Sequence, residues 1–313
     1  MNGIRASRRT FWVLAVFSCL SLLGGVRVHA ESPAAPDGEL VVMSFNIRYG
    51  TANDGEDRWA NRRQMVCDVI AEHRPDVLGL QEALKFQIDE IMAAVPGYVL
   101  VGVGREDGKE KGEYSCILYR SDRLEVKENG TFWLSDTPDV PGSITWGNAC
   151  TRVCSWGRFI DRATGGAFYV YNTHLDHVSQ PAREKGSAQV ARHIAEKAKG
   201  APYILTGDFN AGEDNRAIRY LKGEQPLDGQ KVGVLFRDAF RIVHPDEKVV
   251  GTFNGFKGRT DGAKIDYIFI GSGWNVRDAA IVRTHVDGRY PSDHFPLTAR
   301  LRVQPQHGTG AQD

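Results

Sequence analysis

"PYILTGDFNA", residues 202–211, is the stretch from which the rest of the chain can be read. Tyr203 to Leu205 is an apolar, strand-forming run that stops at Gly207, Asp208 and Asn210. Side chains two apart on an extended chain point the same way, so Asp208 and Asn210 are expected to face one ligand from the mouth of a strand. Amphipathic helical patterns flank the strand, near 181–198 before it and 214–222 after it. A buried strand with helices outside it predicts a layered α/β domain.

The pattern repeats outward. "LVVMSFNI" (40–47) alternates as a strand and carries Asn46 near its end. Helical spacing through Val66, Val69 and Ile70 runs to His73 and stops before Pro75. "DVLGLQE" (76–82) reads as a buried strand closed by Gln81 and Glu82, and "LKFQIDEIMAAV" (84–95) as a helix. Further strands are "SCILYR" (115–120), "ACTRVCSW" (149–156), "GAFYVYNTHL" (166–175) with His174, and "KIDYIFI" (264–270) with Asp266. Phe295 to Leu301 forms the last strand, and Asp293 and His294 sit at its mouth in a turn stiffened by Pro291 and Pro296. No internal repeat or second boundary interrupts 39–303, which is expected to be one domain.

The ends read differently. Residues 1–30 have a basic start (Arg5, Arg8, Arg9), an apolar run and a small-residue cleavage pattern, so a signal peptide cut after Ala30 is expected. "SRRTF" (7–11) also resembles a twin-arginine signal, and the destination is secreted or periplasmic. "ESPAAPDG" (31–38) is a linker and 304–313 a polar tail; no membrane anchor is expected after cleavage, and the chain is expected to be a monomer. Removing the four signal arginines from 39 basic residues leaves 35 against 39 acidic ones, a net charge of −4. That balance disfavours a protein that grips long nucleic acids by counterion release. Cys67, Cys116, Cys150 and Cys154 lie within helix- or strand-like patterns and are expected to be free thiols.

Polar residues at strand ends carry the chemistry. Asn46, Glu82, Asp208, Asn210 and Asp293 supply oxygen donors, which suit Mg²⁺ or Mn²⁺, or Ca²⁺, better than zinc. His174 and His294 are placed to hydrogen-bond a phosphoryl oxygen, and Asp266 to keep His294 protonated. Taken singly, each reads as a turn former or a buried ion-pair partner. Six strand ends in sequence do not.

In order, "SFNIR" (44–48), "GLQE" (79–82), "NTHLDH" (172–177), "TGDFNA" (206–211), "KIDYIF" (264–269) and "YPSDHFP" (290–296) resemble the endonuclease/exonuclease/phosphatase superfamily. The resemblance implies a four-layer α/β/β/α sandwich, two packed mixed sheets flanked by helices, and a metal-dependent phosphoesterase. It places Asn46, Glu82 and Asp293 in the metal site and Asp208 and Asn210 at the nucleophilic water. Asp266 and His294 become a carboxylate–histidine pair, and His174 a phosphate contact. It also suggests Arg152 as a phosphate-directed arginine, with His177, Arg183, Tyr114 and Trp146 near the substrate.

A phosphodiesterase or nuclease and a phosphatase both fit, as do a sphingomyelinase-like lipid phosphodiesterase and a sugar-phosphate phosphatase. The binuclear metallophosphoesterases are excluded because Phe209-Asn210-Ala211 follows Gly207-Asp208 and no Gly-Asn-His occurs. A non-catalytic binding module would be expected to have lost site residues that are all present here.

Overall fold

The strand that ends at Asp208 lies inside a six-stranded sheet, and a second six-stranded sheet packs against it. The structure, a computed structural model, describes residues 38–304. The expected signal peptide, most of the expected linker and the tail beyond Gln304 lie outside the described residues. In chain order the strands are β1 (Glu39–Asn46), β2 (Val77–Ala83), β3 (Tyr98–Val101), β4 (Tyr114–Arg120), β5 (Leu124–Trp133) and β6 (Val153–Asp161), then β7 (Ala167–His174), β8 (Tyr203–Asp208), β9 (Arg237–Asp238), β10 (Asp266–Ile270), β11 (Trp274–Ile281) and β12 (Leu297–Val303). The helices are α1 (Trp59–His73), α2 (Lys85–Ala94), α3 (Gln180–Ala198), α4 (Arg216–Leu221) and α5 (Ala239–Val243).

The sheets run β11-β12-β1-β2-β4-β3 and β5-β6-β7-β8-β10-β9. Each contains one parallel pair, β1 with β2 and β7 with β8, and antiparallel neighbours elsewhere. Each parallel pair is joined by a helix, α1 or α3, because a parallel return needs a crossover.

Alternation along the strands makes three cores. Val42, Val77 and Ile204 turn between the sheets. Met43, Phe45, Leu78 and Leu80 turn outward onto Val66 and Ile70 of α1 and Ile88 and Ile91 of α2. Tyr171 and Leu205 pack with Val190 and Ile194 of α3 and Ile218 of α4. Three cores separate four layers, helix on sheet on sheet on helix.

Near the site the seam between the sheets turns polar. Asn172 donates to the Leu80 and Cys116 carbonyls (both 2.7 Å) and accepts from Gln81 (2.7 Å) and Thr206 (2.9 Å). Gly79 permits this approach: a Cβ there would meet the Thr206 hydroxyl at 2.2 Å.

Some boundaries move. The "ACTRVCSW" strand begins at Val153, leaving Cys150 and Arg152 in the preceding loop. Strands β3, β5, β9 and β11 were not marked by the sequence, and they are the four sheet edges. The long edge β5 carries exposed Glu128 and Lys127 and lacks the apolar run of a strand buried on both faces. All four described cysteines are free, as expected. No helix among the described residues is long and apolar enough to cross a membrane.

Candidate active site

The two parallel pairs stop at the same end of the sandwich. Asn46 is level with Gln81, and His174 with Asp208. Asp266 opens β10 directly beside Asp208. The Pro291 turn then closes over them: Ser292 donates to the Asn46 carbonyl (2.7 Å), bringing Asp293 and His294 to these strand ends. His174, Asp208, Asp293 and His294 line a cleft of about 730 Å³ at this end.

One wall is acidic. Asn46 donates through Nδ2 to Glu82 (3.1 Å) and to Asp208 (2.9 Å), while its Oδ1 accepts the Arg48 amide (3.0 Å). Glu82 has a left-handed backbone, φ 59°, inside β2 at the irregularity where the β2–β4 register shifts between Leu80 and Ala83. Its other oxygen accepts the Tyr49 amide (3.2 Å). Asp293 lies on the same wall; burial raises its pKa and the Glu82 charge adds to that, against the pull of His294 and Arg48. Two carboxylates facing one cleft with an amide beside them form a hard-oxygen set that fits a divalent cation of the Mg²⁺ kind.

Beneath this wall lies Arg62, which is 0 % exposed. It donates to the carbonyls of Ile47 (2.6 Å), Arg48 (2.9 Å), Asp57 (2.8 Å) and Pro291 (3.0 Å). One guanidinium thus ties the end of β1 to the Asp293 turn. Burial depresses its pKa to about 10, so it stays charged at neutral pH.

The floor holds the titrating groups. Asp208 accepts the Asn210 amide on Oδ1 (2.9 Å), and its Oδ2 lies 3.4 Å from His174 Nε2 and 3.7 Å from His294 Nε2. Burial and the neighbouring Asp266 charge push its pKa up to about 7, with His294 opposing. Burial disfavours a charged His294, yet Asp266 and Asp208 outweigh it and hold its pKa well above the ordinary value. Asp266 Oδ2 accepts from His294 Nδ1 at 3.0 Å. Donor atoms of Asp208, Asp266 and His294 lie within 4.8 Å of one another, close enough to be read as a metal site. Because both His294 nitrogens already face a carboxylate, the cluster fits a held proton better than a cation.

His174 behaves oppositely. Burial, then Arg152 and Arg105, drive its pKa well below the ordinary value, so the ring is neutral. Asn210, itself left-handed at φ 48°, donates through Nδ2 to His174 Nε2 (2.9 Å) and to the Leu175 carbonyl (3.0 Å). This bond places the His174 proton on Nδ1, a buried donor with no protein partner.

The facing wall is cationic. Arg152 donates to His177 Nδ1 (3.0 Å), and its buried Nε has no hydrogen-bond partner. Arg105 pairs with Glu113 through two bonds of 2.7 and 2.8 Å. Phe253, Arg259 and Asp261 complete the lip. Phe253 is 49 % exposed, standing edge-on to His294 at 5.2 Å between ring centres.

Ten of the thirteen residues singled out by the sequence therefore meet here, eight lining the cleft, Asn46 through its bonds to Glu82 and Asp208 and Asp266 through its bond to His294. Three are placed elsewhere. The Tyr114 hydroxyl donates to the Lys109 carbonyl (2.9 Å). Arg183 braces a helix start, donating to the Asp176 carbonyl (2.8 Å) and to Gln180. The Trp146 indole donates to Asp136 (2.7 Å) beside a separate cavity. Conversely, Arg48, Tyr49, Arg105, Glu113 and Phe253 line the cleft without having been marked. Arg48 carried a direct signal, as the last residue of "SFNIR".

Known proteins are similar to this chain in sequence and fold. A protein of Bacteroides vulgatus described as an endonuclease/exonuclease/phosphatase is 34% identical; the match covers 85% of this chain and 99% of that one, with a TM-score of 0.77. A mannosyl-6-phosphatase of Bacteroides thetaiotaomicron is also 34% identical, covering 84% and 99% with a TM-score of 0.74. Nocturnin of Drosophila melanogaster is 24% identical over 94% of this chain, which spans about half, 51%, of that protein. Residues 43–294, from the middle of β1 to the carboxylate–histidine turn, match the Endonuclease/Exonuclease/phosphatase family, to which this chain belongs.

Proposed function

We propose that this protein hydrolyses compact phosphate esters, with sugar phosphates the leading substrate class, in a reaction that depends on Mg²⁺ or Mn²⁺. The observation that carries this reading is the opposition of an acidic wall and a cationic wall across the buried Asp208, His174 and His294. Enzymes of the family act on phosphate esters and are typically dependent on divalent metals. The sugar-phosphate class draws support from the mannosyl-6-phosphatase at 34% identity, and a cleft of about 730 Å³ suits a ligand of that size.

Glu82, Asp293 and Asn46 would hold the cation, which supplies Lewis-acid charge to a phosphoryl oxygen. Asp208 and Asn210 orient a water for in-line attack and Asp208 takes its proton. Neutral His174 accepts the Asn210 amide through Nε2 and holds it beside the water, and protonated His294 donates to a phosphoryl oxygen through Nε2. Asp266 keeps the His294 ring oriented and charged. Arg152 and Arg105 complete the anion cradle. The site works by positioning and charge stabilisation, so no covalent phosphoenzyme forms.

A metal-supplemented panel of mannose 6-phosphate, p-nitrophenyl phosphate, bis-p-nitrophenyl phosphate and sphingomyelin tests this. Hydrolysis of the monoesters with Mg²⁺ or Mn²⁺, abolished by EDTA, is the expected result. Full activity after metal stripping would overturn the metal assignment. Faster cleavage of the diesters would move the substrate to the phosphodiesterase reading.

A further inference from the structure

Between the two carboxylates of the acidic wall stands a cation that belongs to the protein. Arg48 lies 3.9 Å from Glu82 Oε2 and 3.9 Å from Asp293 Oδ2. On its far side Asp54 clasps it through two bonds, Nε at 3.1 Å and Nη2 at 3.0 Å. The bond to Asp54 and the charges of Asp293 and Glu82 raise its pKa against burial, so it is charged at every working pH.

The position is built. Arg48 sits at φ 57°, a left-handed conformation that a non-glycine residue adopts only under constraint. The constraint is visible: the Arg48 amide donates to Asn46 Oδ1 (3.0 Å), and its carbonyl accepts from Arg62 Nη2 (2.9 Å) and Gln87 Nε2 (3.0 Å). The Tyr49 ring lies 4.7 Å from its guanidinium. A left-handed backbone held at three points thus aims one guanidinium at two facing carboxylates.

We infer that Arg48 is a built-in counter-charge of the cation site, held half-withdrawn by Asp54, and that it sets how weakly the site binds a divalent ion. This rests on the metal assignment made above to Glu82 and Asp293. Without a compensating charge, two carboxylates on one wall repel each other and would splay or take up a proton. Arg48 offsets part of their repulsion, so the wall is formed before any ion arrives. An arriving ion must then share the carboxylates with a like charge about 4 Å from each of them, which lowers its affinity. Asp54 moderates the competition by drawing the guanidinium away. The arrangement predicts a preformed site with modest, readily reversible metal binding.

The competition gives paired variants opposite signs. In calorimetric titration of the whole chain with Mn²⁺, Arg48→Met is expected to bind about tenfold tighter than wild type or more, and Arg48→Gln to do the same. Arg48→Lys keeps the charge and is expected to keep most of the competition. Asp54→Asn frees the guanidinium to close on Glu82 and Asp293, and is expected to bind Mn²⁺ several-fold more weakly. A second reading is thermal unfolding in EDTA and in Mn²⁺: Arg48→Met is expected to lose stability in EDTA and to gain more from Mn²⁺ than wild type does.

A purely structural role for Arg48 would weaken metal binding in both Arg48→Met and Asp54→Asn, and that result overturns the inference. So does unchanged Mn²⁺ affinity in folded Arg48→Met and Arg48→Gln. Glu82→Gln separates the two levels of argument. If it abolishes Mn²⁺ binding while Arg48→Met fails to tighten it, the counter-charge falls and the metal site stands. If Glu82→Gln binds Mn²⁺ as wild type does, the metal site falls and the counter-charge with it.

Discussion

The two parallel strand pairs use one backbone device for opposite ends. Each runs strand, helix, strand, and each stops with two polar residues in register, Asn46 beside Gln81 and His174 beside Asp208. Past the β1–β2 pair the chain turns into a partly open wall where Glu82 and Asp293 are compensated by Arg48. Past the β7–β8 pair the groups are sealed: Asp208 is 1 % exposed, and its neighbours are two imidazoles and a second carboxylate. At the first end Glu82 and Asp293 stand at the cleft with Arg48 between them. At the second end burial, with Arg152 and Arg105, lowers the pKa of His174; burial also opposes a charged His294, but Asp266 and Asp208 outweigh it and raise its pKa, and burial with the Asp266 charge lifts Asp208 to about 7. A compensating cation marks the one strand end and a cluster of coupled titrating groups the other.

The comparison breaks most visibly if the sealed end is not where turnover resides. His294→Ala and Asp208→Asn are each expected to lower kcat on the order of 10²–10³-fold with the fold intact by circular dichroism, as loss of a preorganised donor or base does. Asp266→Asn acts through His294, to which it is hydrogen-bonded at 3.0 Å. The double variant Asp266→Asn/His294→Ala should therefore be barely slower than His294→Ala alone. Strictly multiplicative losses would separate Asp266 from the imidazole.

This asymmetry also explains what could be read from residue order. Strands that end at the site are central, buried on both faces, and appear as apolar runs with a polar stop; "SFN", "GLQE", "NTH" and "GDFN" are all of this kind. Edge strands β5, β9 and β11 have no such run, and the short apolar run of β3 has no polar stop, so all four passed unmarked. Arg105 and Glu113 were invisible for a related reason. They come from a glycine-rich loop whose return to the cleft is set by turns, including a left-handed Gly112, rather than by alternation. Tyr114 was expected at the site on proximity in sequence, but its hydroxyl donates to the Lys109 carbonyl and braces that same loop. Phe253 carried a faint signal, an aromatic between Thr252 and Asn254, both fully buried polar residues. That alternation marks a strand-like segment pushing a ring outward, yet it needs the partner turn at Asp293 and Phe295 to be recognised.

The open wall has its own support, and Arg62 tests it. The acidic wall hangs on one guanidinium that spans the end of β1 and the Pro291 turn. Arg62→Met removes five hydrogen-bond donors and leaves four loop carbonyls to find other partners. A loss of about 2–3 kcal/mol in chemical denaturation is expected, given a cost near 1–3 kcal/mol for a buried group left unsatisfied and partial relaxation of the loops. Mn²⁺ binding should weaken with it, because Asp293 is no longer held against Glu82. A variant that loses stability but keeps full Mn²⁺ affinity would show that the wall is positioned from elsewhere.

The smallest effect comes from the sealed end and is a dependence on pH. His174 is buried and its pKa lies well below the ordinary value near 6.5. Above pH 6.5 both folded and unfolded chains keep the ring neutral, and its contribution to stability is fully present. As pH falls below 6.5 the unfolded chain takes up a proton that the folded chain refuses, so stability falls, by at most about 1.4 kcal/mol per pH unit from this one group. His294 does not mask the slope. Its folded pKa is raised, so it is protonated in both states below 6.5, and its own contribution is lost only as pH rises above that value. His193, depressed to about 4 by burial, adds a slope of the same sign, and Asp208, lifted to about 7, adds one of the opposite sign, so variants are compared rather than the wild type read alone. His174→Gln should therefore flatten part of the loss between pH 6.5 and 5.5 in denaturant unfolding. An unchanged slope would mean that His174 is protonated in the folded state, and a neutral ring accepting the Asn210 amide would no longer follow.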